Sequence, residues 1–237
     1  MEDVPDRILV VFAHPDDVDF GAAGSVARWT DAGATVTYCV VTDGAAGGSD
    51  PSVSRDQMRV IRRKEQEAAA AEVGVKELVW LGYPDGQVEA SIELRKDITR
   101  VIRETRPQRV LAPSPDRMWD RIFASHPDHL AVGEAAMCAV YPDARNIFAF
   151  PELAEAGFQP HTVPEVWLMG APSSDTYVDV TDTFDRKMAA LRSHVSQIGD
   201  REGELTDFVR TFLSDNGRRA GWVDGRLAEG FRRIVTG

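Results

Sequence analysis

The sequence is poor in several things, and each shortage excludes something. It has only two cysteines, Cys39 and Cys138, too few for a disulfide framework. Cys39 lies in the apolar run 36–41 and Cys138 in a predicted helix, so both read as small core residues. No apolar stretch approaches the roughly 18 residues that a membrane-spanning helix needs. No lysine and arginine run forms a basic stripe: 27 such residues face 38 acids, a formal charge of −11. Nucleic acid and an anionic membrane are therefore not expected partners. The opening MEDVPDR is acidic and has no apolar h-region, so no secretory signal is expected and the cytoplasm is the expected location. There is no internal repeat and no low-complexity tract. Histidine is scarce too, five in 237 residues, which makes their placement informative.

What is present is a core and a pattern. Apolar residues make up 43% of the chain, enough to bury a substantial core. Strand-like and helix-like segments alternate. Strands are predicted at 7–13, 35–41, 77–81 and 109–112, and helices at 20–32, 54–73, 91–105 and 127–140. Two late strands, 163–169 and 177–180, read as antiparallel additions, and two closing helices are predicted at 183–197 and 205–219. Such alternation predicts a mostly parallel sheet with helices on both faces, in a single domain over 1–237. Three loops are long for a compact α/β fold, 43–53, 113–125 and 141–164. Ligands of such sheets bind beyond the carboxyl ends of the strands.

The first strand ends in His14-Pro15-Asp16-Asp17. At a strand-to-helix turn, His14 and Asp17 can converge on one cation while Asp16 points elsewhere, free to act as a base. Helix capping by Asp16 or Asp17 explains the same residues when the motif stands alone. A second cluster shifts the balance. His126-Pro127-Asp128-His129 opens another predicted helix after another predicted strand and loop, with His126 and His129 on one helical face. Two histidines and one carboxylate are a zinc set that leaves room for water and substrate. The same set also accepts iron, manganese or cobalt.

These motifs resemble the LmbE-like, or PIG-L, zinc-dependent de-N-acetylases, whose hallmarks are AHPDD after the first strand and a later HPDH. Further segments are similar: TDGAAG (42–47), Arg62-x-x-Glu65 followed by Gly74-Val75, WLGYPDG (80–86) and KMAALRSHVSQ (187–197). The resemblance implies a Rossmann-like three-layer sandwich. It implies His14, Asp17 and His129 as Zn2+ ligands and Asp16 as the general base. His126 would stabilise the oxyanion or protonate the leaving amine, with Asp128 as its electrostatic partner. Arg62 would contact substrate hydroxyls or shape the pocket, and Asp85 is a substrate-binding candidate against its plain role as a turn residue. The implied activity is removal of the N-acetyl group from an N-acetylglucosamine-containing small molecule. The close alternative is an amidase on a larger conjugate, such as a cysteinyl-glucosaminyl thiol S-conjugate. The implied partner is a small amino sugar, with a homo-oligomer left open.

The chain also departs from the family pattern. Asp19 stands where many members have Glu, Ala45 replaces a loop Glu, and Ala124 replaces a tyrosine found in some thiol-sugar deacetylases, leaving Tyr83 or Tyr141 to supply an aromatic hydroxyl. His194 reads either as structural or as part of a site or subunit contact. Two rivals of other classes are a nucleotide-binding protein using Gly21, Gly24 and Gly44, and a sugar-binding module without catalysis. The first requires glycines directly after the strand where two acids stand, and the second requires a lost ligand or base.

Overall fold

The computed structural model describes residues 3–48, 50–199 and 202–237, so one residue of the loop 43–53 lies outside it. In chain order the elements are β1 (Arg7–Phe12), α1 (Asp17–Gly21), α2 (Ala23–Asp31), β2 (Thr35–Thr42), α3 (Arg55–Glu72), β3 (Glu77–Tyr83), α4 (Ile92–Thr105), β4 (Arg109–Pro113), α5 (Pro127–Val140), α6 (Pro151–Glu155), β5 (Glu165–Met169), β6 (Thr176–Asp179), α7 (Phe184–Arg192), α8 (Val195–Ile198), α9 (Glu202–Arg219) and β7 (Ala228–Val235). The seven strands lie in the order β3-β2-β1-β4-β5-β7-β6. β1 to β5 are parallel to one another, whereas β7 is antiparallel to both β5 and β6.

β1 is central, and its side chains divide by parity. Ile8, Val10 and Phe12 join one core with Trp29 of α2, Ala69 and Ala70 of α3 and Leu191 of α7. Leu9, Val11 and Ala13 join the other, with Ile98 and Ile102 of α4 and Val132 and Ala136 of α5. A strand covered on both faces needs a continuous apolar run, which is why ILVVFA shows no alternation. Helix starts follow local chemistry. Ser54 caps α3 in a reciprocal capping box with Gln57, and Ser91 caps α4.

The tertiary structure changes several expectations. The helix predicted over 20–32 starts earlier, at Asp17, and breaks at Ala22 (φ −148°, ψ 3°). The break frees the Gly24 and Ser25 N–H groups, which donate to the buried Glu229 carboxylate at 3.1 and 2.7 Å. The helix start that a nucleotide-binding protein would offer to phosphate is thus filled by the chain's own anion. A Cβ on Gly24 would meet Val180 at 2.8 Å, so that close approach requires glycine. The helix predicted over 183–197 is split between α7 and α8 by His194, whose side chain turns inward. The late strand β5 is parallel to β4, contrary to expectation, while β6 does pair antiparallel. β7 was not expected at all. Glu229, Arg232 and Arg233 interrupt its apolar pattern, and it is recruited by its neighbours on both sides.

β1 and β4 are neighbours, yet the chain leaves them towards opposite halves of the sheet. This is the switch point of the topology, where a crevice opens at the carboxyl ends of the strands. The loops after β2 and β4 share that end. The loop 141–164 does not: Arg103 at the end of α4 donates to the carbonyls of Asp143, Ala144, Asn146 and Ala149, and His161 bonds Pro107 just ahead of β4. Among the described residues, no helix is long and apolar enough to cross a membrane. Both cysteines are free, Cys39 buried and Cys138 half-buried beside Glu134.

Candidate functional site

The turn after β1 is held open by α3. Asp16 sits in the left-handed region (φ 95°, ψ −26°), which costs a non-glycine residue on the order of 1–3 kcal/mol and persists only where the surroundings enforce it. Arg62 and Gln66, one helical turn apart, supply that enforcement. Gln66 accepts the Asp16 N–H at 2.8 Å, and Arg62 donates to the Pro15 carbonyl and, at 3.3 Å, to the Asp16 carboxylate. Behind them Gln66 donates to Asp19 at 3.0 Å, and the same Asp19 oxygen lies 2.8 Å from His194 Nε2. Gln66, Asp19 and His194 are all fully buried.

On the other side of the turn, three side chains meet. His14 Nδ1 is 3.2 Å from His129 Nε2, His129 Nε2 is 3.0 Å from Asp17 Oδ1, and His14 Nδ1 is 3.5 Å from Asp17 Oδ2. Each imidazole is oriented through its second nitrogen. His14 Nε2 lies 3.1 Å from Asp128 and 3.3 Å from Asp85, and His129 Nδ1 lies 3.2 Å from the Ala124 carbonyl. With those nitrogens donating, the lone pairs of His14 Nδ1 and His129 Nε2 face the same point as Asp17. Anchored imidazoles of this kind are how proteins prepare histidine for a metal. The donor atoms of His14, Asp17 and His129 all lie within 4.8 Å of one another, close enough to hold one ion. His14, His126 and Asp128 form a second such group sharing His14.

The electrostatics fit a cation. Burial opposes charging of His14, but hydrogen bonds to Asp128 and Asp17 outweigh it and push its pKa up to about 12. Burial also opposes charging of His129, and Asp17 again overrides it. Burial would raise Asp17, yet His129 and His14 hold it well below the usual carboxylate range. Asp85 and Asp128 are lowered in the same way, chiefly by His14 working against burial. Carboxylates thus crowd two histidines and bind whatever positive charge is offered, and a divalent ion would displace the protons. Asp16 behaves differently. Burial, reinforced by Asp17 and opposed by Arg62, pushes its carboxyl up to about 7.

His126 caps α5, and its Nδ1 accepts the Asp128 N–H at 3.2 Å. Its ring centroid is 4.8 Å from that of His14. Burial and the neighbouring His14 lower its pKa. Asp128, the expected electrostatic partner of His126, does act on it, its charge favouring protonation of that ring, but its short contacts lie elsewhere. That carboxylate is bound by His14 and by the Gly86 and Val88 N–H groups at 2.8 and 3.2 Å. Asp85 is likewise engaged, by the Ala46 N–H, His14 and Arg62. Arg62 is 4% exposed and spends its guanidinium on Pro15, Gly44, Asp16 and Asp85. Neither tyrosine reaches the centre. The Tyr83 hydroxyl donates to Asp97, and Tyr141 stands at the far end of α5. Gln66 and the Asp19–His194 pair were missed as a unit. The available signal was a polar Gln66 in line with Arg62, Ala69 and Ala70 on one helix face.

A His/His/Asp group that could hold a metal ion thus lies at the switch point of a mostly parallel α/β sheet, flanked by a spare carboxylate. The chain belongs to the PIG-L family: the family described as GlcNAc-PI de-N-acetylase matches residues 9–140. It is 33% identical over 229 residues to the diacetylchitobiose deacetylase of Thermococcus kodakarensis, covering 96% of this chain and 83% of that one. It is 31% identical to a probable N-acetyl-alpha-D-glucosaminyl L-malate deacetylase 2 of Bacillus anthracis, over 84% of each chain. Among solved structures, N,N'-diacetylchitobiose deacetylase from Pyrococcus horikoshii superposes with a TM-score of 0.90 at 33% identity, covering 98% of this chain and 84% of that one. The fold also recurs at 21% identity in GalB of Pseudomonas putida, a 4-carboxy-2-hydroxymuconate hydratase (TM-score 0.81; 98% of this chain, 97% of that one). Fold alone therefore does not fix the reaction, and the side chains must.

Proposed function

We propose that this protein is a metal-dependent deacetylase that hydrolyses the N-acetyl amide of an N-acetylglucosamine-containing small molecule. The observation that carries the reading is the convergence of His14 Nδ1, His129 Nε2 and Asp17, each imidazole anchored behind, with Asp16 beside them. The relatives named as deacetylases of amino-sugar compounds support the substrate class. His14, Asp17 and His129 would hold the ion, for which zinc is the choice that suits two imidazoles and a carboxylate. When bound, such an ion acidifies water and polarises a carbonyl.

The chain's own groups supply the rest. Asp16, with a pKa near 7, takes the proton from the attacking water. Its left-handed backbone and the Arg62 contact keep that carboxylate from collapsing onto the metal ligands. Because His126 Nδ1 accepts a backbone N–H, its proton resides on Nε2, ready to donate a hydrogen bond to the oxyanion, while Asp16 passes the proton it took on to the leaving amine. Asp128 and Asp85 act as positioning residues that aim His14, and Arg62 shapes the turn. The same proposal takes the chain as one domain over 1–237 in a Rossmann-like three-layer sandwich. It places the protein in the cytoplasm, a setting that suits two unpaired cysteines.

The test is metal analysis combined with a panel of acetylated amino sugars, N-acetylglucosamine and diacetylchitobiose among them, with acetate and free amine both measured. Acetate and amine should appear in equal amounts, stop on chelation and return with zinc. Release that survives chelation would overturn the metal assignment, and no release from any panel member would overturn the substrate class.

A further inference from the structure

A cavity of about 650 Å³ opens directly beside the donor set, with Asp17 and His129 in its wall. The rest of its wall is largely apolar, led by Phe20 of α1, Met169 at the end of β5, and Phe208, Val209 and Phe212 of α9. Phe20 and Phe208 are 40% and 57% exposed, so the chain leaves two aromatic faces in water at the mouth of its centre. Arg121, also in this wall, lies with its guanidinium 5.2 Å from the Phe212 ring centroid.

The chemistry of the walls selects the occupant. A sugar ring entering this cavity would need hydrogen-bond partners for its hydroxyls, and unpaired hydroxyls are costly to bury. The polar groups of the centre lie on the other flank: Asp16, Arg62 and Asp85 are bonded among the loops after β2 and β3, and none of them lines the cavity. An acyl chain carries no hydrogen-bonding group beyond the carbonyl that is attacked. It is also the substituent nearest the donor set, where Asp17 and His129 form the wall. The methyl of an acetyl group needs space of the order of one water, about 30 Å³, a small part of the cavity.

We propose that this site, given the deacetylase reading above, also accepts N-acyl amino sugars whose acyl chain is longer than acetyl, with the chain lying against Phe20, Met169 and Phe208. The reaction is unchanged in its balance. Water oxygen forms the new C–O bond, the C–N bond breaks, and the amine leaves with the proton, giving a free carboxylic acid and an amino sugar. Burial of methylenes on apolar walls lowers free energy with each carbon added, so kcat/KM should rise with chain length until the cavity is filled.

The experiment uses the zinc-loaded enzyme with glucosamine carrying N-acetyl, N-butanoyl, N-hexanoyl and N-octanoyl groups, and with octyl N-acetylglucosaminide as the apolar-aglycone arm. The expected result is a kcat/KM for N-hexanoyl at least tenfold above N-acetyl. Phe208→Asp should lower the ratio of hexanoyl to acetyl kcat/KM at least fivefold; its exposed position lets it fold, which circular dichroism checks. Cleavage of the acetyl compound with no gain on lengthening overturns this inference and leaves the deacetylase reading standing. A gain for the octyl glycoside alone also overturns it, since the cavity then serves the aglycone. No cleavage of any compound sinks the deacylase reading and this inference together.

Discussion

Two charged clusters stand on either side of α1, and they are built on opposite principles. Around Lys187 everything is matched. Its ammonium donates to Glu229 at 2.7 Å and to the Asp19 and Phe20 carbonyls at 2.8 and 2.7 Å, using all three protons. Glu229 accepts the two helix N–H groups as well. Around His14 nothing closes in this way. Among the described residues, Asp16, Asp17, Asp85 and Asp128 face His14, His126 and His129 and the permanent cation Arg62. A closed charge balance locks elements together, while an excess of aimed carboxylate and imidazole is what binds an ion. Burial separates the two clusters in the same sense: Lys187 and Glu229 are 1% exposed, whereas Asp16, Asp17 and His129 are only partly buried.

The largest expected effect falls on the open cluster. Asp16→Asn should cut turnover by about 10²–10⁴-fold while metal content, read by elemental analysis, stays at the wild-type level. Asparagine tolerates the left-handed backbone, so the turn should survive. Turnover near wild type would remove Asp16 from the base role, and loss of metal would merge it with the ligands.

On the closed cluster the effect should be on stability. Lys187→Met leaves Glu229 buried without its cation, and removing one partner of a buried pair costs about 3–5 kcal/mol. Denaturant unfolding of the metal-loaded protein measures this. A change under 1 kcal/mol would show that the backbone donors alone satisfy Glu229.

The smallest effect concerns a third, arginine-balanced cluster at the opposite end of the sheet. Glu165 receives Arg109 and Arg233, each at 2.6 Å. Burial would raise its carboxyl, but Arg109 first and then Arg233 hold it below its ordinary 4.5. A carboxyl depressed on folding stabilises the protein above its unfolded pKa, and that stability is lost as pH falls through the folded value. Glu165→Gln should therefore lower stability at pH 7 by about 1–3 kcal/mol and flatten the acid limb of the stability curve below pH 4.5. An acid limb identical to wild type would show that the two arginines do not shift Glu165.

The comparison also explains what could be read from the residues alone. His14, Asp16 and Asp17 share one turn, so their divergence follows from local geometry, and the AHPDD and HPDH patterns announce both halves of the centre. The parallel strands β1 to β4 were legible because each centres on an apolar or β-branched run and is followed by a helical period. β7 was not, because its side chains answer to the neighbours on either side rather than to a pattern of their own. Gln66 and His194 were obscured for a related reason. A polar residue within a helix shows its purpose only when its partner, Asp19, is seen against it.

By itself, then, the sequence determined the kinds of donor present, the turn that carries three of them, and the α/β alternation that places such turns at one end of a sheet. Only the tertiary structure decided that His129, 115 residues beyond His14, meets it at 3.2 Å, and that Asp128 bonds His14 while acting on the adjacent His126 through its charge. It alone set an apolar cavity beside them, from α1, β5 and α9. Spacing along the chain dictates geometry within a turn or a helix. Which turns meet depends on strand order, and strand order is settled by the burial of both faces of the whole sheet.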